Sequence, residues 1–293
     1  MLKAEVSSSV QSATLEIAAI GVDWPWWRTT RQDVMVLPWV LLIHVTAAIG
    51  LILFPLPGWR IFLAALALSW IGGIGTTVCY HRALAHKALR LHPLTYAVLT
   101  FFAMLNGSGS PNTWAASHRI HHAYADTAED VSSPVWHGFW WAHLRWLWQS
   151  EPPSIARFCP DLNSLSYSVW RFLQPAILTL SFFGGLYFST AAFFWLGAIR
   201  LVFSLHAQCF VNSICHGQPN TPIGEDSSRN IPWLGALHFF QGENWHRNHH
   251  DRPALARLGR NWRQPDVGYA VICVLEKVGL VSDVRRSPRL GRA

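Results

Sequence analysis

The chain is short of charge. Lys, Arg, Asp and Glu make up 13% of its 293 residues, about half the share of an average soluble protein. Apolar residues make up 51%, with 17 Trp, a balance that points away from a soluble domain and toward a membrane protein. Cysteine is scarce too. Cys79, Cys159, Cys209, Cys215 and Cys273 form no CxxC pair, so neither a zinc ribbon nor a disulfide framework is indicated, and reduced thiols are expected. There is no internal repeat and no low-complexity stretch. The first twenty residues lack the basic start, apolar run and small-residue cleavage site of a secretory leader, so none is expected. Against this sparse background the 15 His stand out.

A helix that crosses the hydrocarbon needs roughly 20 mostly apolar residues. Four stretches qualify, at about 34–54, 59–80, 173–197 and 198–216, the last turning polar in its second half. "PLPG" turns the chain between the first two. Pro93 to Leu105 is too short to span and reads as a buried or half-inserted helix. The Trp-rich "WHGFWWAHLRWLW" reads as an amphipathic helix at headgroup level. Four spans leave both termini on one side. Arg60 and Arg200 are nearly the only charges near the two span-to-span turns, whereas the remaining segments, including "RRSPRLGR", are rich in Arg. By the positive-inside bias those segments face the cytoplasm. The expected fold is an all-α integral membrane protein. It has an N-terminal cytosolic segment (1–33), a domain of four transmembrane helices with a cytosolic helical cap (34–288), and a basic tail (289–293). The net charge of +7 calls for no nucleic acid, and none is expected as a partner. A basic face toward anionic lipid or an acidic partner accounts for it.

The histidines fall into clusters. "HRALAH" holds His81 and His86, "HRIHH" holds His118, His121 and His122, "NSICH" holds Asn212 and His216, and "HRNHH" holds His246, His249 and His250. Residues i, i+3 and i+4 share one helix face. Three imidazoles on one face repel when protonated and leave nitrogens unpaired when buried neutral, and a divalent metal resolves both problems. His81 and His86 lie about 140° apart on a regular helix. They can serve two neighbouring metals, or one metal if the helix unwinds. Asn212 and His216 are spaced to share a face. Nine histidines are too many for one ion, so a two-metal site is the economical reading. They fit tetrahedral zinc poorly and two ions with open positions, such as iron, better. Asp126, Glu129, Asp130 and Glu243 lie close by and could accept the second ring N–H of ligating histidines. The isolated His44, His92, His137, His143, His206 and His238 are expected to be hydrogen-bonded core residues.

These boxes, in this order, with a pair of spans between the second and third and "NSICH" as an extra motif, resemble the membrane fatty acyl desaturases, specifically the delta-9 stearoyl-CoA desaturase-like branch. The resemblance runs from about Val34 to Pro288 and takes in "GFWWAHLRW", "GENWHRNHH" and "EKVGLVSDV". It implies two iron ions, held without bridging carboxylates on the cytosolic side of a four-span bundle. Carried over by position, His81, His122, His216 and His250 would hold one iron, with a water held by Asn212. His86, His118, His121, His246 and His249 would hold the other. Where the family usually reads Asp-Pro-His after the second box, this chain reads Asp130-Val131-Ser132, a departure that touches loop shape and the support of the ligands rather than the ligands themselves. The sequence shows no fused haem domain, so electrons are expected from a separate ferredoxin-like or cytochrome partner.

The activity implied is oxygen-dependent desaturation, at the delta-9 bond, of a saturated acyl chain carried by coenzyme A, a carrier protein or a glycerolipid. The iron pair would activate dioxygen, which amino-acid side chains alone cannot do. The reacting methylenes offer no polar handle, so an apolar tunnel must set the position, with the inner faces of spans two and four as its expected walls. Two alternatives belong beside this one. A di-iron hydroxylase would share the first hydrogen removal but leave oxygen on carbon. A membrane metal transporter would need a polar path that spans one and two do not offer.

Overall fold

The computed structural model describes residues 24–31, 34–218, 220–222 and 224–286. Most of the expected N-terminal segment and the basic tail 289–293 lie outside the described residues.

The first apolar stretch forms α1 (Val36–Leu53), which carries no charged residue. Pro55 and Pro57 end it, and Gly58 turns the chain at φ +87°, a conformation that glycine adopts without penalty. α2 (Trp59–Ala85) returns. It is regular to Ile74 and widens into a π-helix from Gly75 to Ala85. The two-residue strand β1 (Arg90–Leu91) pairs antiparallel with β2 (Val281–Ser282), the one departure from an all-helical chain among the described residues. α3 (Pro93–Leu105) and α4 (Pro111–Tyr124) both start on proline, where its fixed φ suits a first turn. At roughly 20 Å each they are too short to span. They form a hairpin that enters the bundle and comes back, its tip turned by Gly107 and Gly109 at positive φ. Gly75 lets the hairpin close onto α2, because a Cβ there would fall on the Leu99 carbonyl.

The Trp-rich stretch is helical from residue 139 to 149, π-wound at Trp141–Arg145, and Gly138 at φ +81° sets this helix off from the short turn Pro134–His137. Trp141 and Trp148 are buried, while Trp136 and Trp140 are exposed.

α5 (Leu165–Phe183) and α6 (Thr190–Cys215) correct the expected spans. The break between them falls at 184–189, not at 197/198. Hydropathy runs through both sites, so composition alone misplaces the turn. The local signals are Gly184-Gly185 and Ser189, whose hydroxyl caps the next helix by accepting from the Ala192 N–H at 3.0 Å. Gly197 lies inside α6, tight against the Phe182 carbonyl. Arg200, expected near a turn, is also inside α6 and 2% exposed. Its guanidinium donates to the Leu196 carbonyl (2.7 Å), Asn106 Oδ1 (2.8 Å), the Leu105 carbonyl (3.1 Å) and the Ser181 hydroxyl. It thereby ties α6 to the hairpin tip and to α5. α1, α2 and α6 are long and apolar enough to cross a membrane. α5 is long enough but carries Arg171, Gln174 and Pro175. Beyond α6 the chain makes α7 (His246–Asp251) and α8 (Val267–Lys277). All five cysteines are unpaired.

The isolated histidines are mostly bonded as expected. His44 Nε2 meets His206 Nε2 at 2.9 Å, His206 Nδ1 meets His143 Nε2 at 2.8 Å, and His143 Nδ1 meets the Ser213 hydroxyl at 2.9 Å. His238 donates to the Ala207 carbonyl at 2.6 Å, and His92 accepts from the Leu94 N–H at 3.3 Å but is exposed rather than in the core. The buried Nδ1 of His137 has no partner.

Candidate metal centre

Four segments deliver nine imidazoles to one place. The end of α2 brings His81 and His86, α4 brings His118, His121 and His122, the residue after α6 is His216, and α7 brings His246, His249 and His250. Their ring nitrogens form two groups, each within 4.8 Å. One is His81, His86, His118, His122 and His249, and the other is His121, His216, His246 and His250. The five-and-four division is the expected one, but the membership is not. His81 and His122 belong with the five, and His121 and His246 with the four.

Helix geometry explains the exchange. On a regular helix residue i+4 lies about 40° from residue i, while i+3 lies about 60° to the other side. The HxxHH spacing therefore keeps its first and last histidines together and turns the middle one away. His118 stays with His122 and His246 with His250, while His121 and His249 swing to the opposite group. His81 and His86 share a group because α2 is not regular there. In a π-helix i→i+5 bonds bring residues five apart onto one face, and the His86 N–H donates to the His81 carbonyl at 3.1 Å. Their ring centroids are 5.0 Å apart.

Within each group the Nε2 atoms point at one another. His81 and His249 meet at 3.0 Å, His249 and His122 at 2.8 Å, and His86 and His118 at 2.8 Å. In the other group His121 and His250 meet at 3.2 Å, His216 and His246 at 2.9 Å, and His250 and His246 at 3.1 Å. Carboxylates hold the far side of four rings. Glu243 receives the His81 Nδ1–H (2.9 Å), Asp130 that of His121 (2.9 Å), Asp126 that of His216 (2.8 Å) and Asp226 that of His250 (3.0 Å). A neutral ring that donates from Nδ1 has only a lone pair at Nε2. His121 and His250 thus aim two lone pairs at each other, a contact that needs a shared positive charge between them. Two cations, one per group, satisfy the Nε2 atoms of all nine rings, although the buried Nδ1 atoms of His246 and His249 have no partner.

Electrostatics agrees. Burial, then the neighbouring imidazoles, hold His118, His122, His246 and His249 well below the ordinary histidine range. His86 is pushed down to about 2, and His250, despite Asp226, to about 4. These rings are neutral and free to ligate at neutral pH. His121 is raised: burial opposes its charge, but Asp130 outweighs burial. Burial works against ionisation of the acids as well. His81 nevertheless holds Glu243 down to about 2, and the bonds from His216 and His250 hold Asp126 and Asp226 well below the usual carboxylate range.

Asp126, Asp130 and Glu243 sit where the sequence placed them, on the back of ligand-group rings. Glu129 does not, since it accepts from the Thr127 hydroxyl at 2.9 Å. Asp226 was missed. It lies twenty residues ahead of the third box, in a polar loop with no sequence signal pointing at a histidine. Asn212 is half-buried on the last turn of α6. His216 has left the helix in extended backbone, φ −112° and ψ 169°, so the helical spacing that paired them does not hold.

The fold and the site are those of a membrane protein built around a paired set of histidine donors able to hold two metal ions. The fatty acid desaturase family model matches residues 57–263. The chain is 34% identical over 258 residues to delta-9 acyl-lipid desaturase 1 of Arabidopsis thaliana, covering 84% of this chain and 81% of that one. Delta-9 acyl-lipid desaturase 2 of the same plant is 33% identical over 279 residues, 89% and 86% of the two chains. The acyl-CoA 5-desaturase AL21 of Anemone leveillei is 34% identical over 240 residues, 78% and 72%. The chain belongs to the fatty acid desaturase family, a family of oxidoreductases.

Proposed function

We propose that the protein is an oxygen-dependent desaturase that introduces a delta-9 double bond into a saturated fatty acyl chain, with two irons held by the nine histidines. The observation that carries this reading is the pair of convergent nitrogen groups, five and four. Imidazole suits iron, five nitrogens exceed the four of tetrahedral zinc, and an ion with four donors keeps open positions. When bound, the iron pair supplies the activation of dioxygen that side chains cannot. The protein's own residues hold and orient. His81, His86, His118, His122 and His249 would take one ion, and His121, His216, His246 and His250 the other. Glu243, Asp130, Asp126 and Asp226 fix four rings in the tautomer that presents a lone pair. α2 and α6 end at ligands, so an acyl chain lying between them presents only methylenes, positioned by apolar contact.

The substrate is a fatty acyl lipid or thioester. Two relatives carry delta-9 acyl-lipid names and one an acyl-CoA name. Dioxygen takes two hydrogens from the acyl chain, plus two electrons and two protons, to leave as two waters. The electrons come from an external ferredoxin-like or cytochrome donor. The domain crosses the membrane four times, with the site on the cytoplasmic side. Two features support this. α2 and α6 both end at the site, so the chain between them must return to the far side, and α5, at about 28 Å, matches the hydrocarbon. The arginines of residues 247–286 gather at the site end, whereas the turns at 55–58 and 184–189 carry none.

The test is expression in a host lacking its own delta-9 desaturase, with mass analysis of total fatty acids. A product lighter by two hydrogens, with its double bond at carbon 9, is expected. A product that has gained oxygen makes the protein a hydroxylase, and a double bond elsewhere overturns the positional assignment.

A further inference from the structure

The back of α7 opens on a cluster of arginines. Arg252, Arg257, Arg260, Arg285 and Arg286 line one hollow beside Asn248, and all five are exposed. Next to it Arg263 lies over the ring of Trp262, which is 83% exposed. Few acids answer them. Asp251 pairs with Arg260 at 2.8 Å, Glu276 pairs with Arg286, and Asp266 is taken by the buried Arg82 at 2.9 Å. Arg252, Arg257, Arg263 and Arg285 have no carboxylate within ion-pair distance among the described residues. In a chain so short of charge this is a concentrated positive surface with an aromatic at its edge, the composition that anchors protein partners.

Its position is the second observation. Arg260 Nη2 donates to the Asn248 carbonyl at 3.3 Å, and the Asn248 side chain donates to the Leu258 carbonyl and Gln264 Oε1, both at 3.0 Å. The arginine loop is thereby fastened to the helix that carries His246, His249 and His250, and Asn248 is covalently joined to His249. The patch lies about one helix diameter, roughly 10–12 Å, from the nitrogen groups. The third observation is the electron balance above. Two electrons must enter per double bond, and a donor outside the chain has to deliver them.

We propose that this arginine face, with Trp262, is the docking surface for a small acidic one-electron carrier protein, and that the α7 backbone from Asn248 to His249 is the entry to the metal centre. The inference rests on the desaturase reading. Each docking would pass one electron from the carrier to the iron pair that the nine histidines would hold. Two dockings serve each double bond, and the two protons come from solvent. Opposed charge steers the carrier to the patch, so the encounter is salt-sensitive.

The test uses full-length, iron-loaded protein, an acidic plant-type [2Fe–2S] ferredoxin with its reductase as donor, and Arg257→Glu combined with Arg263→Glu. The KM for ferredoxin is expected to rise about tenfold or more at low ionic strength. The gap should narrow near 1 M salt, where screening reaches about 3 Å. Product formed in a single turnover with dithionite as reductant should stay within twofold of the parent, and the double lysine variant should restore the KM. An unchanged KM, or a parent that turns over with dithionite but not with ferredoxin, overturns the proposal. So does a variant whose main loss is binding to vesicles containing anionic phospholipid, which makes the patch a membrane contact. A parent that forms no product with dithionite either defeats the desaturase reading itself, and the docking proposal with it.

Discussion

Replacing Asp126 by asparagine tests how much of the metal affinity comes from groups that never touch metal. The Asp126 carboxylate is fully buried. One oxygen accepts from His216 Nδ1 (2.8 Å), the Ser227 N–H (2.9 Å) and the Ser227 hydroxyl (2.6 Å), and the other from the Ser133 hydroxyl (2.7 Å). Asp126 sits at φ +57°, a conformation that asparagine tolerates equally, so the substitution alters charge and little else. An asparagine can still turn its carbonyl oxygen to the three donors. What it loses is charge assistance, the difference between about 1.5–3 and about 0.5–1.5 kcal/mol per bond. The part transmitted through His216 should weaken iron binding by roughly tenfold to hundredfold, about 1.4–2.8 kcal/mol. The assay is anaerobic Fe(II) loading followed by competition with a chelator, with thermal unfolding of the metal-free protein measured in parallel. Glu129→Gln is the control, because Glu129 contacts only its own loop. Iron affinity within twofold of the parent for Asp126→Asn, or an equal loss in Glu129→Gln, would refute the reasoning.

Three further outcomes are expected. Asn106→Leu leaves the buried Arg200 charge without its amide acceptor, with the Ser181 hydroxyl as the remaining side-chain partner, and should cost about 3–5 kcal/mol, more than Arg200→Met at about 1–3; melting of the detergent-solubilised variants ranks them, and the reverse order contradicts the account. His216→Ala should lose iron while Asn212→Leu keeps most of it, since a neutral amide is a poor iron ligand beside imidazoles; metal analysis of both decides whether the amide is itself a ligand. In a Cys273→Ser background, Leu56→Cys and Leu186→Cys should react with an impermeant thiol reagent from the side opposite to Asn261→Cys; labelling of position 186 from the same side as 261 removes α5 as a fourth crossing.

The histidine boxes were legible because they concentrate costly groups in a text that otherwise avoids them. The supporting acids next to the boxes were legible for the same reason. Asp226 was not, because its loop meets His250 only through tertiary folding. The division of ligands between the two groups could have been drawn from the HxxHH spacing, which separates the middle histidine from its neighbours on any regular helix. The pairing of His81 with His86 could not, since no residue pattern in "GTTVCYHRALA" announces a change from i+4 to i+5 bonding. The turn between α5 and α6 was lost in continuous hydropathy. Arg200, mistaken for a boundary marker, proved to be a buried clamp whose partners Asn106 and Ser181 lie far away in sequence.

The spread of ligands along the chain bears on biosynthesis. His81 leaves the ribosome early and His250 late. At about 5–20 residues per second the interval is on the order of ten seconds or more. Throughout that time neither group can be complete, because each takes a member from α7. On the proposed di-iron reading, a complete metal site therefore cannot nucleate the folding of the spans. Helix insertion, the closure of the α3–α4 hairpin onto Gly75 and the Arg200 clamp must assemble the bundle first, and the last ligand helix then shuts a site already waiting for it. Cells starved of iron should accordingly accumulate an inserted apoprotein that becomes active on adding the metal, without new synthesis.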